Sequence, residues 1–281
     1  MRNIINCFSL LSLNFILISC GGGDFTERSE LEGLRVLSIS ANTPEVNASA
    51  PSTVILSPVI SYVDGGNTTL DYSWEACPDP GIDFGADINC DSSPSTLKQV
   101  GSNTFSTSSL SGSSYTGLAT SLSVNITPAI LAYFSNLDSD LQFNGVDYIV
   151  VLKYSDQNSD AKIDALKRIK LTSKTTGLNV NESFGDIIFN DSILSAYPTV
   201  EGIIKISSPT PGQTYSKQTN VGLKSFEEEM YISWYSSTGE YLFNRTDTGE
   251  DNTFTPEGSS GVFVVVYRDG RGGVFTKITN F

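Results

Sequence analysis

The sequence predicts an all-β chain folded as two antiparallel β-sandwich domains in tandem, and three observations carry that expectation. The charged fraction is 17%, below the roughly 25% usual for soluble domains. Ser, Thr, Asn and Gly stand where long amphipathic helices would need Glu, Lys, Ala and Leu. Short β-branched or alternating runs recur between Pro, Gly and Asn punctuation, and three of these runs occur twice in the same order.

Residues 1–19 carry one charge, Arg2, and an apolar run from Phe8 to Ile18. The run is about half of the ~20 residues a membrane-spanning helix needs, so it reads as a targeting segment that is removed. Leu17, Ile18, Ser19 and Cys20, followed by Gly21, Gly22 and Gly23, resemble the lipobox of bacterial lipoproteins. The resemblance implies cleavage before Cys20 and acylation of its thiol and new amino group. Gly21, where Asp would otherwise follow, resembles lipoproteins sent to the outer membrane. The alternative is an ordinary secretory signal that ends by chance at a cysteine. Residues 20–33 are expected to be the lipidated cysteine and a flexible tether.

The first domain is assigned to residues 34–175. Leu34–Ser40 and Val54–Val63 are aliphatic runs separated by Asn42, Thr43, Pro44 and Pro51. The third run alternates, with Leu70, Tyr72, Trp74 and Ala76 on one face and Asp71, Ser73, Glu75 and Cys77 on the other. Period two with one apolar face is a half-buried strand, which makes Trp74 a core residue. Between this strand and Tyr148–Asp156 lie the Cys77–Cys90 loop, a Ser/Thr/Gly-rich stretch from Ser102 to Thr120, and a helical pattern opening at Pro128 and running to Leu137.

Residues 176–183 are the expected linker, within a polar stretch from Ser173 to Glu182, and the second domain is assigned to 184–281. Gly202–Ser208 with Pro209 and Pro211 parallels Leu34–Pro44; Met230, Ile232 and Trp234 alternate like Tyr72 and Trp74; Val262–Asp269 parallels Tyr148–Asp156. From Trp to Asp the spacing is 82 residues in the first copy and 35 in the second, so the first copy carries an insertion of about 47 residues. Phe184–Tyr197 reads either as an early strand or as a docked linker.

Cys7 leaves with the signal and Cys20 takes the lipid, so only Cys77 and Cys90 remain. An exported chain meets disulfide-permissive conditions, and the two are expected to pair, contributing about 3 kcal/mol in the chain-entropy model. Because Cys77 falls on the solvent-facing register of its strand, the bridge is expected on a surface loop.

At Leu34–Pro44, at Tyr72-Ser73-Trp74-Glu75-Ala76-Cys77 and at Tyr267-Arg268-Asp269-Gly270-Arg271-Gly272-Gly273, the chain resembles tandem immunoglobulin-like or PKD-like domains of bacterial envelope lipoproteins. The resemblance implies Ig-like sandwiches and assigns no chemistry. The inter-sheet disulfide of antibody domains is missing.

Composition excludes much. There is no histidine, hence no imidazole base, no Ser-His or Cys-His pair and no His metal ligand. A net charge of −14 argues against nucleic acid, whose phosphates would be repelled. Asp156, Asn158, Asp160 and Asp164 resemble the oxygen-ligand spacing of a calcium loop, although Ala161 stands at the sharp-turn glycine and Lys167 at the bidentate glutamate. Calcium is the only cofactor this pattern suggests, and none is required. Glu227, Glu228 and Glu229, and Asp247, Glu250 and Asp251, are expected to be solvated charge runs; Tyr231, Tyr235 and Tyr241 fall on an exposed register. The expectation for function is therefore a non-enzymatic protein of the cell envelope, held to the outer membrane by its lipid and presenting Ig-like domains for binding or structural support of a protein or polysaccharide partner. The alternative is a glycan-binding or glycan-active surface module using the acidic loops and exposed tyrosines.

Overall fold

The computed structural model describes residues 31, 33–62, 68–81, 89–107 and 115–281. The expected signal segment and Cys20 lie outside them. In the first half the elements are β1 (Leu34–Ala41), β2 (Glu45–Asn47), β3 (Ser52–Tyr62), β4 (Thr69–Pro78), β5 (Gln99–Ser106), β6 (Tyr115–Leu118), β7 (Leu122–Ile126), α1 (Pro128–Ser135), α2 (Ser139–Asn144), β8 (Val146–Asp156) and β9 (Lys162–Thr172). They form two facing sheets. In one, β3 pairs with β1, β6 and β7; the other runs β2-β9-β8-β4-β5. All pairings are antiparallel but β2 with β9, which is parallel. Leu34, Leu56, Ile60, Leu70, Tyr72, Val150 and Leu152 meet between the sheets.

The Ser/Thr-rich stretch is a source of strands as well as loop. β5 pairs along β4, and β6 pairs with β3. Opposite Trp74 stands Gly101, where any Cβ would collide with the indole, so the glycine lets the ring lie down over the strand. The helical pattern forms α1, and a second short helix, α2, follows beyond it. Thr127 caps α1 through Ile130 N, Pro128 takes the first turn, and Ile130 and Phe134 turn into the core.

The second half comprises β10 (Ile187–Phe189), β11 (Ser192–Ile193), β12 (Gly202–Ile206), β13 (Thr214–Thr219), β14 (Gly222–Glu227), β15 (Tyr231–Ser236), β16 (Glu240–Tyr241), β17 (Arg245–Asp247), β18 (Asn252–Thr255), β19 (Val262–Arg268) and β20 (Val274–Asn280). Sheet β11-β10-β12-β18-β16 faces sheet β17-β15-β19-β20, while β13 and β14 form a separate hairpin. The ambiguous segment 184–197 thus supplies a hairpin, turned by Asn190 and Asp191 with φ of 45° and 62°, the double positive φ of a tight type I′ connection. Trp234 is fully buried among Tyr241, Phe254 and Phe263, and its Nε1–H donates to Thr246 Oγ1 at 2.9 Å.

Strand register is alike around the two tryptophans. Trp74 lies opposite Leu152 and Trp234 opposite Val265, and in each case an aspartate, Asp156 or Asp269, stands four residues further on at the strand end. The hairpin β8-β9 in the first half and the hairpin β19-β20 in the second thus each pair with a Trp-bearing strand in the same register.

The disulfide forms between Cys77 and Cys90, with Cα atoms 5.9 Å apart, but its expected surface position is corrected. Both cysteines are fully buried with Ile149, Val151 and Leu166. Cys77 does point away from the main core; Cys90 meets it on the outer face of its own sheet, and the pair makes a second small core there with Ile149, Val151 and Leu166.

Candidate functional site in the junction between the sheet pairs

The two sheet pairs meet along a continuous apolar seam. Leu37 of β1 and Val59 of β3 pack against Val264 and Val266 of β19 and Val274 of β20, with Leu31 closing the cluster. Beside this seam lies a buried network of charge. Arg271, in the β19-β20 turn, donates from Nη1 to Glu228 Oε1 at 2.7 Å and from Nη2 to Glu45 Oε2. Glu45 belongs to the first sheet pair, is fully buried, and also lies 3.6 Å from Lys174 Nζ. One guanidinium therefore joins a carboxylate from each half, and its plane lies over the Tyr215 ring, 4.2 Å from the centroid.

The turn that carries Arg271 is organised by Asp269. Its carboxylate accepts from the backbone N–H groups of Arg271, Gly272 and Gly273 at 2.8 to 3.0 Å. Gly270 and Gly272 have φ of 70° and 114°, and a Cβ at Gly273 would sit 2.6 Å from Val180 O. The Gly-rich run is thus required by positive φ and close approach. Gly272 O accepts from the ammonium of Lys167, reaching over from β9. Burial depresses Lys167 to a pKa of about 8; Asp269 raises it and Arg268 lowers it, but desolvation dominates.

The expected linker is part of this joint. Asn181 Nδ2 donates to Ala41 O at 2.6 Å while its Oδ1 accepts from Val274 N at 2.9 Å, and Asn179 N donates to Glu45 Oε2 at 2.9 Å. Hairpin β13-β14 crosses as well, exchanging two bonds between Gln218 and the Asn144 side chain at the end of α2. A cleft of about 890 Å³ opens between the halves, bounded by β1, β9, the 270–274 turn and β13.

The sequence-predicted sites fall elsewhere. Asp156 turns inward and is buried: Tyr62 OH donates at 2.8 Å, Ser159 Oγ at 2.7 Å and Asn158 N at 3.0 Å, and Thr68 Oγ1 donates as well. Burial pushes this carboxyl up, but the four donors together outweigh it and bring the pKa to about 2. Asn158 spends its amide on Thr68 Oγ1, while Asp160 and Asp164 are exposed, with Asp164 opposite Lys153 on the hairpin. The four residues are not drawn around one point, and among the described residues no three acidic or cysteine side chains form a metal-holding group. Glu228 corrects the expectation of a solvated run, since it is buried and ion-paired, although Glu227 and Glu229 are exposed. Tyr241 is likewise corrected: it lies in the core of the second half, so Tyr231, Tyr235 and Tyr241 share no face.

Glu45, Lys167, Lys174 and Arg271 were not legible as a site. The one sequence signal was an arginine set among three glycines directly after a strand. Partners 226 residues apart in sequence, as Glu45 and Arg271 are, leave no local pattern.

No family model and no curated protein matches the chain. Among solved structures it is similar to red sea bream transglutaminase, at 10% identity over 87% of this chain and 31% of that one, with a TM-score of 0.28. Dimeric latent PorU from Porphyromonas gingivalis gives 9%, 89%, 24% and 0.23 for the same quantities. Salmonella alpha-2-macroglobulin reacted with methylamine gives 11%, 92%, 17% and 0.26. The chain spans less than a third of each, and likenesses this weak carry no argument about its activity.

Proposed function

We propose that the chain is a lipid-anchored protein of the cell envelope that presents two immunoglobulin-like units, locked as one body, for binding or structural support, without catalysis of its own. The observation that carries this reading is the pairing of the lipobox-like Leu17–Cys20 with the place where the chain enters the fold. Leu31 is buried in the apolar seam and its N–H donates to Ser236 O at 3.0 Å. The tether from Cys20 therefore leads into the joint rather than to the far end of either unit. An extended chain spans about 3.5 Å per residue, so the eleven-residue step to Leu31 would hold the joint within ~40 Å of the bilayer. Several acyl chains on Cys20 give stable attachment where one would not. The glycan-active alternative finds less support, because Glu228 is committed to Arg271 and Tyr241 to the core.

Membrane fractionation of Cys20→Ala tests the anchor: the wild-type chain is expected in the membrane fraction and the variant in the soluble one. A variant that still sediments with membranes would sink the reading. Protease shaving of intact cells then reports which face of the outer membrane carries the units, loss of the protein meaning surface and protection meaning periplasm.

A further inference from the structure

The chain carries 17 Lys and Arg against 31 Asp and Glu, yet seven of those cations line the cleft between the two units, with Glu45, Asp147 and Asp164 as the only lining acids. Four of the seven are neutralised in place. Arg271 is held by Glu45 and Glu228, Lys174 by Glu45, Lys170 by Asp147 at 2.8 Å, and Arg168 by Asp79 at 3.1 Å. The other three, Lys167, Arg268 and Lys217, have no carboxylate in ion-pair range among the described residues.

These three make no ion pair, although Asp269 is near enough to Lys167 to favour its charge. Lys167 donates to the Gly272 carbonyl. Arg268 donates to Ser233 Oγ at 2.8 Å and Leu37 O at 2.7 Å, and its guanidinium lies over the Tyr231 ring at 6.0 Å. Lys217 lies 5.3 Å from the centre of the Tyr215 ring, whose neighbourhood it shares with Arg271. Like charges gathered without carboxylates in ion-pair range repel, and a fold that is acidic overall had acids to spare for pairing them. A half-enclosed cleft of this size, with convergent cations and two tyrosine rings on its walls, has the dimensions and chemistry of a small-molecule site.

We propose that this cleft binds a small multivalent oxyanion, a molecule carrying two or more phosphate or carboxylate groups, with Arg268, Lys167 and Lys217 as its charge partners. Such a ligand would bridge β9, β19 and hairpin β13-β14, and so would tighten the joint between the units. The inference stands apart from the lipid anchor, which it neither needs nor supports.

The test is calorimetric titration of the full chain in detergent with tripolyphosphate and, separately, citrate, at low ionic strength, where such pairing is least screened. Saturable binding of at least one is expected with Kd on the order of 10–100 μM, and the preferred anion tells phosphate from carboxylate ligands. Arg268→Gln with Lys217→Gln should weaken it at least tenfold, while Lys205→Gln, whose ammonium pairs with Asp191 away from the cleft, should leave it unchanged. Asp164→Asn, a change at an exposed position on the cleft wall, should tighten it two- to threefold. Absence of binding, or an affinity insensitive to the Arg268/Lys217 change in a protein with wild-type circular dichroism, overturns the proposal. Should that double variant fail to fold, Asp164→Asn decides alone: tighter binding supports the site and unchanged binding overturns it.

Discussion

Strands β8 and β19 each lie beside the Trp-bearing strand of their half, and the difference in what covers them explains the molecule's organisation. Each is a run of apolar residues too continuous for a strand with one wet face. In β8, Tyr148, Val150, Leu152 and Tyr154 enter the sandwich core while Ile149 and Val151 point outward; in β19, Phe263, Val265 and Tyr267 enter the core while Val264 and Val266 point outward. The first strand's outer face is buried against the Cys77–Cys90 disulfide of the same unit. The second strand's outer face is covered by the first unit. A disulfide in one half and a neighbouring unit in the other thus bury the outer faces of these two strands, which teaches that the disulfide acts as an internal cap over β8 while the face of β19 is left to dock.

The largest effect expected from this comparison is in the cores themselves. Trp234 is fully enclosed and hydrogen-bonded, whereas Trp74 is half-buried over Gly101. Trp234→Ala should cost about 4 kcal/mol in chemical denaturation, within the range for deleting a buried aromatic. Trp74→Ala should cost about half as much. Equal losses would mean that the two tryptophans are not unequal parts of one repeat.

The next effect concerns the cover over β19. Arg271→Met leaves Glu45 and Glu228 buried without their shared cation, and breaking such a buried pair costs about 3 kcal/mol or more. Burial already pushes the Glu228 carboxyl above its usual range, with Gln213 N and Arg271 only partly offsetting it. The variant should therefore unfold in two separable steps, one per unit, where the wild-type chain melts in one. A single transition at the wild-type midpoint would show that the apolar seam alone holds the halves together.

Its counterpart over β8 is the disulfide. Replacing Cys77 and Cys90 together by Ala should lower stability by about 2 to 3 kcal/mol, from the freed 77–90 loop and the lost packing on Ile149, Val151 and Leu166. The loss should fall on the first unit alone, readable as new proteolytic cleavage within 79–98 while β19 stays protected.

How far these features were legible in the sequence follows from how local their causes are. Alternation at Leu70–Ala76 and the two Trp-bearing runs depend on neighbours in the chain, and strands form where those residues put them. The cysteine pairing followed from counting. Misplacing the bridge had a definite cause: register tells which face Cys77 leaves from, but not that Cys90, thirteen positions later, meets it there in a buried cluster. Glu228 and Tyr241 were misread for the same reason, since their surroundings, Arg271 and the Phe254–Phe263 pair, arrive from other strands. The calcium-like spacing failed because spacing constrains backbone separation, while the ligands' direction was set by Tyr62 and Thr68, far earlier in the chain.

The smallest effect separates the two strand-end aspartates. Asp269 is served by three backbone N–H groups of its own turn; Asp156 is served mostly by side-chain hydroxyls, which substitution can remove one at a time. Tyr62→Phe deletes one donor and keeps the ring, so it should cost about 1 kcal/mol at neutral pH. The Asp156 carboxyl sits near pKa 2 in the folded chain against 3.8 when unfolded, so the unfolded state takes up the proton first. Its stabilising contribution is complete above pH 3.8 and is lost as pH falls through 2. With one donor gone the folded value should move up toward 3.8, so the variant should lose less stability than the wild type on acidification from pH 5 to pH 2. The difference between the two proteins should shrink from about 1 kcal/mol toward zero across that window. A constant difference down to pH 2 would mean that the tyrosine hydroxyl contributes through packing and not through the charge of Asp156.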